Sequence, residues 1–314
     1  MNLQQLRYLN EIVKNDLSIS AAAAVLYTSQ PGISKQIKLL EEELGIDIFV
    51  RNGKRLAALT DPGKVIAAVA ARMLLDAANL KQVGQEFKNQ QAGALTIATT
   101  HTQARYVLPG PVALLRRRYP KVQVVLHQGT PEQVARMLLS ETADVGLATE
   151  SLTEFDDLVT LPCYEWQHAV VVPRGHALAA VERPTLEQVA AEPLVTYHPT
   201  VTGRSRIDAA FAKARLKPQI ALEALDSDVI KTYVRLGLGA GIVAEMAVRD
   251  EPADGDLVAH PAGHLFGQNV ARVAFRRGAY LRHFVYTFAE LLSDRLTRAL
   301  IQRAMSGGGA DYQM

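Results

Sequence analysis

Through the first sixty residues apolar positions recur every three to four places, and short polar intervals break the recurrence. Leu3, Leu6, Leu9 and Val13 predict one helix, and the alanine run at 21–24 a second whose small side chains let helices cross closely. Ser29 then supplies an N-cap and Pro31 falls in the first turn of a third helix, where its missing N–H costs nothing. In that helix Ile33, Ile37, Leu40 and Leu44 form one stripe for a core, which turns Gln30, Ser34, Lys35 and Lys38 outward. Leu44-Gly45 reads as its stop. Beyond it, apolar segments at 46–50 and 56–59 bracket Arg51-Asn52-Gly53-Lys54-Arg55, in which Asn-Gly is a strong hairpin signal and the cations crowd the tip. Two short helices around a tight polar turn, followed by a basic hairpin, predict a winged helix-turn-helix DNA reader over residues 1–60. Alone, the helix would pass for a solvated surface helix and the hairpin for an ordinary loop. Side by side they favour DNA contacts from Ser29, Gln30, Pro31, Ser34, Lys35 and Lys38 on the helix, with Arg51, Lys54 and Arg55 on the phosphates.

Thr60-Asp61-Pro62 starts another helix, and Ile66, Val69, Met73, Asp76, Leu80, Val83 and Phe87 keep three-four spacing to about residue 91. Such a helix spans about 45 Å. Its seam is narrow and edged with Lys, Gln and Asn, which suits a dimerising linker over 61–92 better than a helix packed only on its own domain. Asp76 interrupts the seam.

From Gly93 the pattern changes to alternating short strands and helices, an α/β signature. Strands are expected at 94–99, 122–126 and 143–148, with helices at 112–118 and 131–139, the latter opened by a capping box at Thr130-Pro131-Glu132-Gln133. These form a parallel sheet covered by helices. A second unit follows from Cys163, with strands at 169–172, 194–197 and 220–224, helices begun by Thr185 and Asp226, and another strand after Gly237. A strand at 269–275 returns to the first unit and a single helix runs from about 280 to 303. The expected effector domain is therefore 93–305, with lobe I at about 93–162 and 268–305, lobe II at about 163–267, and a cleft between them. The Gly-rich tail at 306–314 is expected to be disordered.

Composition narrows the class. A chain of 314 residues with a 48% hydrophobic share is that of a multi-domain globular protein, and its apolar runs fall short of the ~20 residues a membrane helix needs. No export signal opens it, and the single Cys163 has no intramolecular partner for a disulfide, so the cytoplasm is expected. Residues 1–60 hold seven Lys or Arg against six acids, a net +1, so the placement of cations matters more than their sum. Enzyme readings fare poorly: the histidines show no metal-ligand spacing with Cys163, and there is no Gly-x-Ser-x-Gly elbow or phosphate loop. Gly237-Leu238-Gly239-Ala240-Gly241 precedes a strand and reads as a turn. No cofactor, metal or catalytic residue is implied, and Cys163 reads as a packing residue.

The whole chain resembles the LysR-type transcriptional regulators. The resemblance rests on Tyr27-Thr28-Ser29-Gln30-Pro31-Gly32-Ile33-Ser34, on 98–106, on Ala148-Thr149-Glu150, on Leu161-Pro162-Cys163-Tyr164, on Thr202-Gly203-Arg204-Ser205 and on 228–239. More narrowly it is similar to the branch of that family that activates cysteine and sulfur-assimilation genes. The resemblance implies a periplasmic-binding-protein-like effector domain, promoter DNA and RNA polymerase as partners, and tetramers built from dimers. It also implies that Thr100, Thr102, Gln103, Thr149 and Thr202 hold sulfate, thiosulfate or an acetylserine. The residues themselves agree, because Thr100-His101-Thr102-Gln103 follows a strand and opens a helix while Thr149 lies at the carboxyl edge of the same sheet. The loop at 198–201 departs from an aromatic-containing stretch of the family. Two other readings stay open: a cytoplasmic small-anion-binding module whose N-terminal helices only assemble it, and a regulator of sulfonate or other catabolic genes. Outward Gln30, Ser34 and Lys35 favour a DNA reader over the former.

Overall fold

The computed structural model describes residues 1–53, 55–88, 92–201, 203–249 and 255–307. Lys54, Thr202 and most of the tail expected to be disordered lie outside the described residues. The chain divides into two compact units, Met1–Lys88 and Asn89–Met314.

In the first unit, α1 (Leu3–Lys14) opens with an Asn2–Gln5 capping box, α2 (Ile19–Val25) is capped by Ser18, and α3 (Gln30–Leu44) by Ser29. Gly45 ends α3 at a φ of 69°, a conformation that favours glycine. Leu6, Leu9, Ile12, Ile33, Ile37 and Leu40 meet Ile48 and Phe49 in one core, and full burial of such side chains stabilises by about 1.5–3 kcal/mol each. Leu44 does not join them: the helix ends there and its side chain is 38% exposed. Strands β1 (Phe49–Asn52) and β2 (Arg55–Leu59) form the expected hairpin. Asn52 pairs with Arg55 as the last rung of the hairpin, so Asn52 belongs to the strand and not to the turn that the Asn-Gly signal suggests.

Helix α4 (Asp61–Lys88) begins at the expected Asp61. Its first half belongs to the head: Gly63 and Ala70 are buried, and Ile66 and Leu74 pack on the core. A Cβ on Gly63 would lie 2.0 Å from the Ile48 carbonyl oxygen, so only glycine lets the helix pass there. Val69, Met73, Leu80 and Phe87 remain exposed.

The second unit begins with β3 (Ala92–Thr99), α5 (His101–Tyr106), α6 (Pro109–Arg118), β4 (Lys121–Gln128), α7 (Pro131–Leu139) and β5 (Val145–Ala148). The capping box at Thr130 and Gln133 forms as expected. Next come β6 (Leu158–Pro173), α8 (Leu186–Ala190), β7 (Leu194–Tyr197), α9 (Arg204–Lys213), β8 (Ile220–Ala224), α10 (Ser227–Arg235) and β9 (Ala240–Ala244). The chain returns through β10 (Leu257–Pro261), α11 (Gly263–Phe266) and β11 (Gln268–Arg276), then ends in α12 (His283–Leu292) and α13 (Arg298–Met305).

The sheet is mixed rather than parallel. β3 runs parallel to β4 and β5, and β7 parallel to β8 and β9, but β11 lies antiparallel to β5 and β6. β6 extends well beyond the expected 169–172: its first part pairs with β11 and its last part with β9 and β10. β6 and β11 are thus the crossing strands that join two lobes. Leu95, Leu147, Leu161, Phe275, Phe284 and Phe288 centre the core of one, and Val171, Val195, Ile207, Ile230 and Ile242 that of the other. Cys163 packs in the first lobe's core, so the boundary lies a few residues beyond the expected 163, and burial pushes its thiol up to about 12. The expected helix 280–303 is two helices. Ser293 is extended and Thr297 caps α13, yet both helices bury apolar faces on one core, which is why the periodicity runs through the break.

Candidate functional site

Two surfaces carry the chemistry, one in each unit. On α3, Gln30, Pro31, Lys35 and Lys38 are exposed and Ser34 is half-buried, so the face expected to read DNA stands clear of the core. The Ser29 hydroxyl accepts the Gly32 N–H at 3.3 Å and is committed to starting the helix. Lys38 pairs loosely with Glu42 at 3.5 Å, an exposed contact worth little. Arg55 ends the turn of the wing.

Arg51 is tied back to α3. Its guanidinium donates to Glu41 Oε2 at 2.7 Å, while Glu41 Oε1 accepts the backbone N–H groups of Ile48 and Phe49 at 2.9 and 3.2 Å. Glu41 is only 7% exposed. It is therefore a bracket between α3 and the wing, not part of a solvated acidic cluster, and Arg51 is the bracket's outer half. Tyr27, which sequence reasoning passed over as a contact, stands 98% exposed in the turn before α3.

In the second unit, the lobes enclose a cavity of about 370 Å³. It is lined by Thr100, Thr102, Gln103 and Thr149, four of the five expected effector residues; Thr202 lies outside the described residues. Each arrives by the same local logic. The carboxyl ends of β3 and β5 deliver Thr100 and Thr149 to the sheet edge, where open α/β sheets bind ligands. Thr100 makes no side-chain cap to α5, which leaves its hydroxyl available. Tyr164 donates its hydroxyl proton to Gln103 Oε1, leaving the Gln103 amide N–H groups as donors. Beside Thr102 in the lining, the Tyr197 hydroxyl meets Ser227 at 2.6 Å and accepts the Ala244 N–H at 2.9 Å. α5 has only six residues, so its dipole is small and the hydroxyl and amide side chains, not the helix end, set the character of this wall.

Three lining residues carry buried polar atoms without a hydrogen-bond partner among the described residues: Thr149 Oγ1, Trp166 Nε1 and His101 Nδ1. Leaving such groups unsatisfied costs about 1–3 kcal/mol each. A ligand that bonds them recovers that cost. Trp166, Tyr197, Asp226 and His101 were not anticipated as lining residues. Trp166 and Tyr197 come from distant strands, and nothing in their spacing announces it. Behind the wall, His168 is fully buried against Trp166 and Phe266, and burial lowers it to about 4.

His101, Asp226 and Asp228 bring ligand atoms within 4.8 Å of one another, a group the sequence spacing concealed. Asp228 accepts the Tyr106 hydroxyl and pairs with Lys231 at 3.3 Å and Arg105 at 3.6 Å. Burial alone would raise this carboxyl, but Tyr106 and the cations outweigh it and hold it low. With Asp228 taken up by these partners, the group offers a metal ion only Asp226 and His101. The group is better read as a tie between α5 and α10, across the lobes.

Residues 88–297 match the LysR substrate binding domain, and residues 3–64 the bacterial regulatory helix-turn-helix protein, lysR family. The chain belongs to the LysR family of bacterial transcriptional regulators. It is 49% identical to the HTH-type transcriptional regulator CysB of Burkholderia cenocepacia over 314 residues, the full length of both. It is 50% identical to the regulator SsuR of the same organism over 96% of this chain and 97% of the relative. Among solved structures, the cofactor-binding domain of the Cbl transcriptional regulator superposes with a TM-score of 0.65 at 44% identity, covering 69% of this chain and 95% of that one. The LysR-type regulator described here therefore joins a DNA-reading head to a ligand-binding domain and is not an enzyme. Among its described residues no helix is long and apolar enough to cross a membrane.

Proposed function

We propose that this regulator controls genes of sulfur assimilation and cysteine synthesis, reading promoter DNA with α3 and the wing and sensing a small oxyanion-bearing metabolite in the inter-lobe cavity. The observation that carries the reading is the cavity's set of neutral donors at Thr100, Thr102, Gln103 and Thr149, with no Lys or Arg among its described lining residues. Such a site suits sulfate, thiosulfate or the carboxylate of an acetylserine. Its affinity is modest, since each charge-assisted bond contributes only about 1.5–3 kcal/mol against strong hydration. Similarity at about half identity to CysB and SsuR over nearly the whole chain supports the same class of control.

Occupancy changes the angle between lobes, and the change passes through α4 to the heads of an assembled dimer or tetramer, altering their spacing on DNA and their contact with RNA polymerase. The exposed apolar residues of the α4 second half supply the dimer seam. A reader of chromosomal promoters works in the cytoplasm. Genes of sulfonate use are a second reading, favoured by a cavity several times larger than a tetrahedral oxyanion needs, given about 30 Å³ for one water. Gel-shift titrations of the full chain on upstream regions of cysteine-synthesis and sulfonate-use genes, with and without sulfate, thiosulfate and acetylserine, test both. Retention no better than on random DNA in every condition refutes the proposal.

A further inference from the structure

The cavity has a charge balance that oxyanion binding alone leaves unexplained. Its described lining holds neutral donors on the Thr100 to Gln103 side and one carboxylate, Asp226, contributed by the other lobe. One Asp226 oxygen caps α10 by accepting the Val229 N–H at 2.9 Å. That cap sits at the positive end of a nine-residue helix and leaves the second carboxylate oxygen for the cavity. No described Lys or Arg pairs with Asp226, whereas the neighbouring Asp228 already has Tyr106, Lys231 and Arg105. Beside Asp226, the buried His101 Nδ1 has no partner among the described residues. A doubly charged oxyanion alone would add negative charge to a cavity that already contains a carboxylate and would fill only part of its 370 Å³. A ligand with an oxyanion at one end and a cation at the other satisfies both ends.

We infer that Asp226 forms an ammonium subsite and that the effector is a dipolar amino compound, an aminosulfonate or an amino acid bearing its own ammonium group. This rests on the oxyanion reading above and adds the group that decides between effectors of that class. The oxyanion meets Thr100, Gln103 and Thr149, and the ammonium donates to the free Asp226 oxygen and to any deprotonated nitrogen of His101. Because the two ends lie on different lobes, a dipolar ligand draws the lobes together, whereas a plain oxyanion engages one of them.

The test uses two nearly isosteric sulfonates, 2-aminoethanesulfonate and 2-hydroxyethanesulfonate, titrated by calorimetry into the full chain at pH 7. The amino compound is expected to bind at least about tenfold more tightly, the scale of one charge-assisted hydrogen bond. Asp226→Asn keeps a good N-cap while removing the charge, and is expected to erase the preference by weakening only the amino compound. Asp226→Ser, another capping residue, serves the same purpose should the Asn variant fold poorly. Equal binding of both sulfonates by the parent, or a preference that persists in the neutral variants, overturns the ammonium subsite and leaves the oxyanion site standing. Binding of neither sulfonate, nor of sulfate, overturns the oxyanion site and this inference with it.

Discussion

Thr149→Val separates stability from ligand binding in a way few cavity substitutions do. Thr149 is 2% exposed, and its Oγ1 has no hydrogen-bond partner among the described residues. Valine has nearly the same shape, so the change removes an unsatisfied hydroxyl without opening a cavity. A lone buried hydroxyl costs about 1–3 kcal/mol. The ligand-free variant is therefore expected to be as stable as the parent or more stable, by about 1 kcal/mol. With an oxyanion bound, the same hydroxyl donates to a charged acceptor worth about 1.5–3 kcal/mol. At 1.4 kcal/mol per decade, binding falls by about ten- to hundredfold. Urea unfolding without ligand and calorimetry with sulfate or acetylserine read the two effects separately. A variant that loses more than about 1 kcal/mol without ligand shows that Thr149 has a structural partner after all, and unchanged affinity shows that the ligand does not touch it.

Glu41→Ala leaves the buried Ile48 and Phe49 N–H groups without their acceptor and is expected to cost the head about 2–4 kcal/mol in urea unfolding, with faster hydrogen exchange at 46–52; a loss under 1 kcal/mol refutes the bracket. Gln30→Ala should relax sequence preference in gel-shift competition, while Arg55→Ala should weaken all DNA alike and lower the salt slope by about one; two variants indistinguishable from the parent would sink the docking face. Leu80→Asp, at a side chain 74% exposed in the single chain, should leave a protomer's fold intact but break the oligomer in light scattering, so an unchanged oligomer removes Leu80 from the seam. The His168 value of about 4 lies below the ordinary 6.5, so the unfolded chain takes up the proton first as pH falls. Its contribution is intact above pH 6.5 and is lost as pH drops toward 4, about 3 kcal/mol in all. His168→Asn should flatten that part of the stability profile, and an unaltered slope counts against it.

Much of this protein was legible in local pattern. Ser29, Thr130, Thr185 and Asp226 cap the helices they were expected to start, because an N-cap bond involves residues three apart and needs no distant partner. The stripe of Ile33, Ile37 and Leu40 is likewise set by spacings of three and four, and the strands expected at 194–197 and 220–224 form at those residues. Four of the expected effector residues line one cavity because the ends of β3 and β5, and the helix that directly follows β3, place them there. What local pattern does not encode is which distant segments meet. The antiparallel pairing of β6 with β11 joins residues about a hundred apart, and only that pairing makes the sheet mixed and fixes where one lobe ends. Glu41 reads as one of three like acids until the folded wing brings two N–H groups and Arg51 onto it. Asp226 reads as a helix cap and nothing more until the lobes fold around the cavity and leave its carboxylate facing neutral donors. Periodicity records which face of an element is buried; the partner that buries it, and the charge it must then satisfy, exist only once segments far apart in the chain have come together.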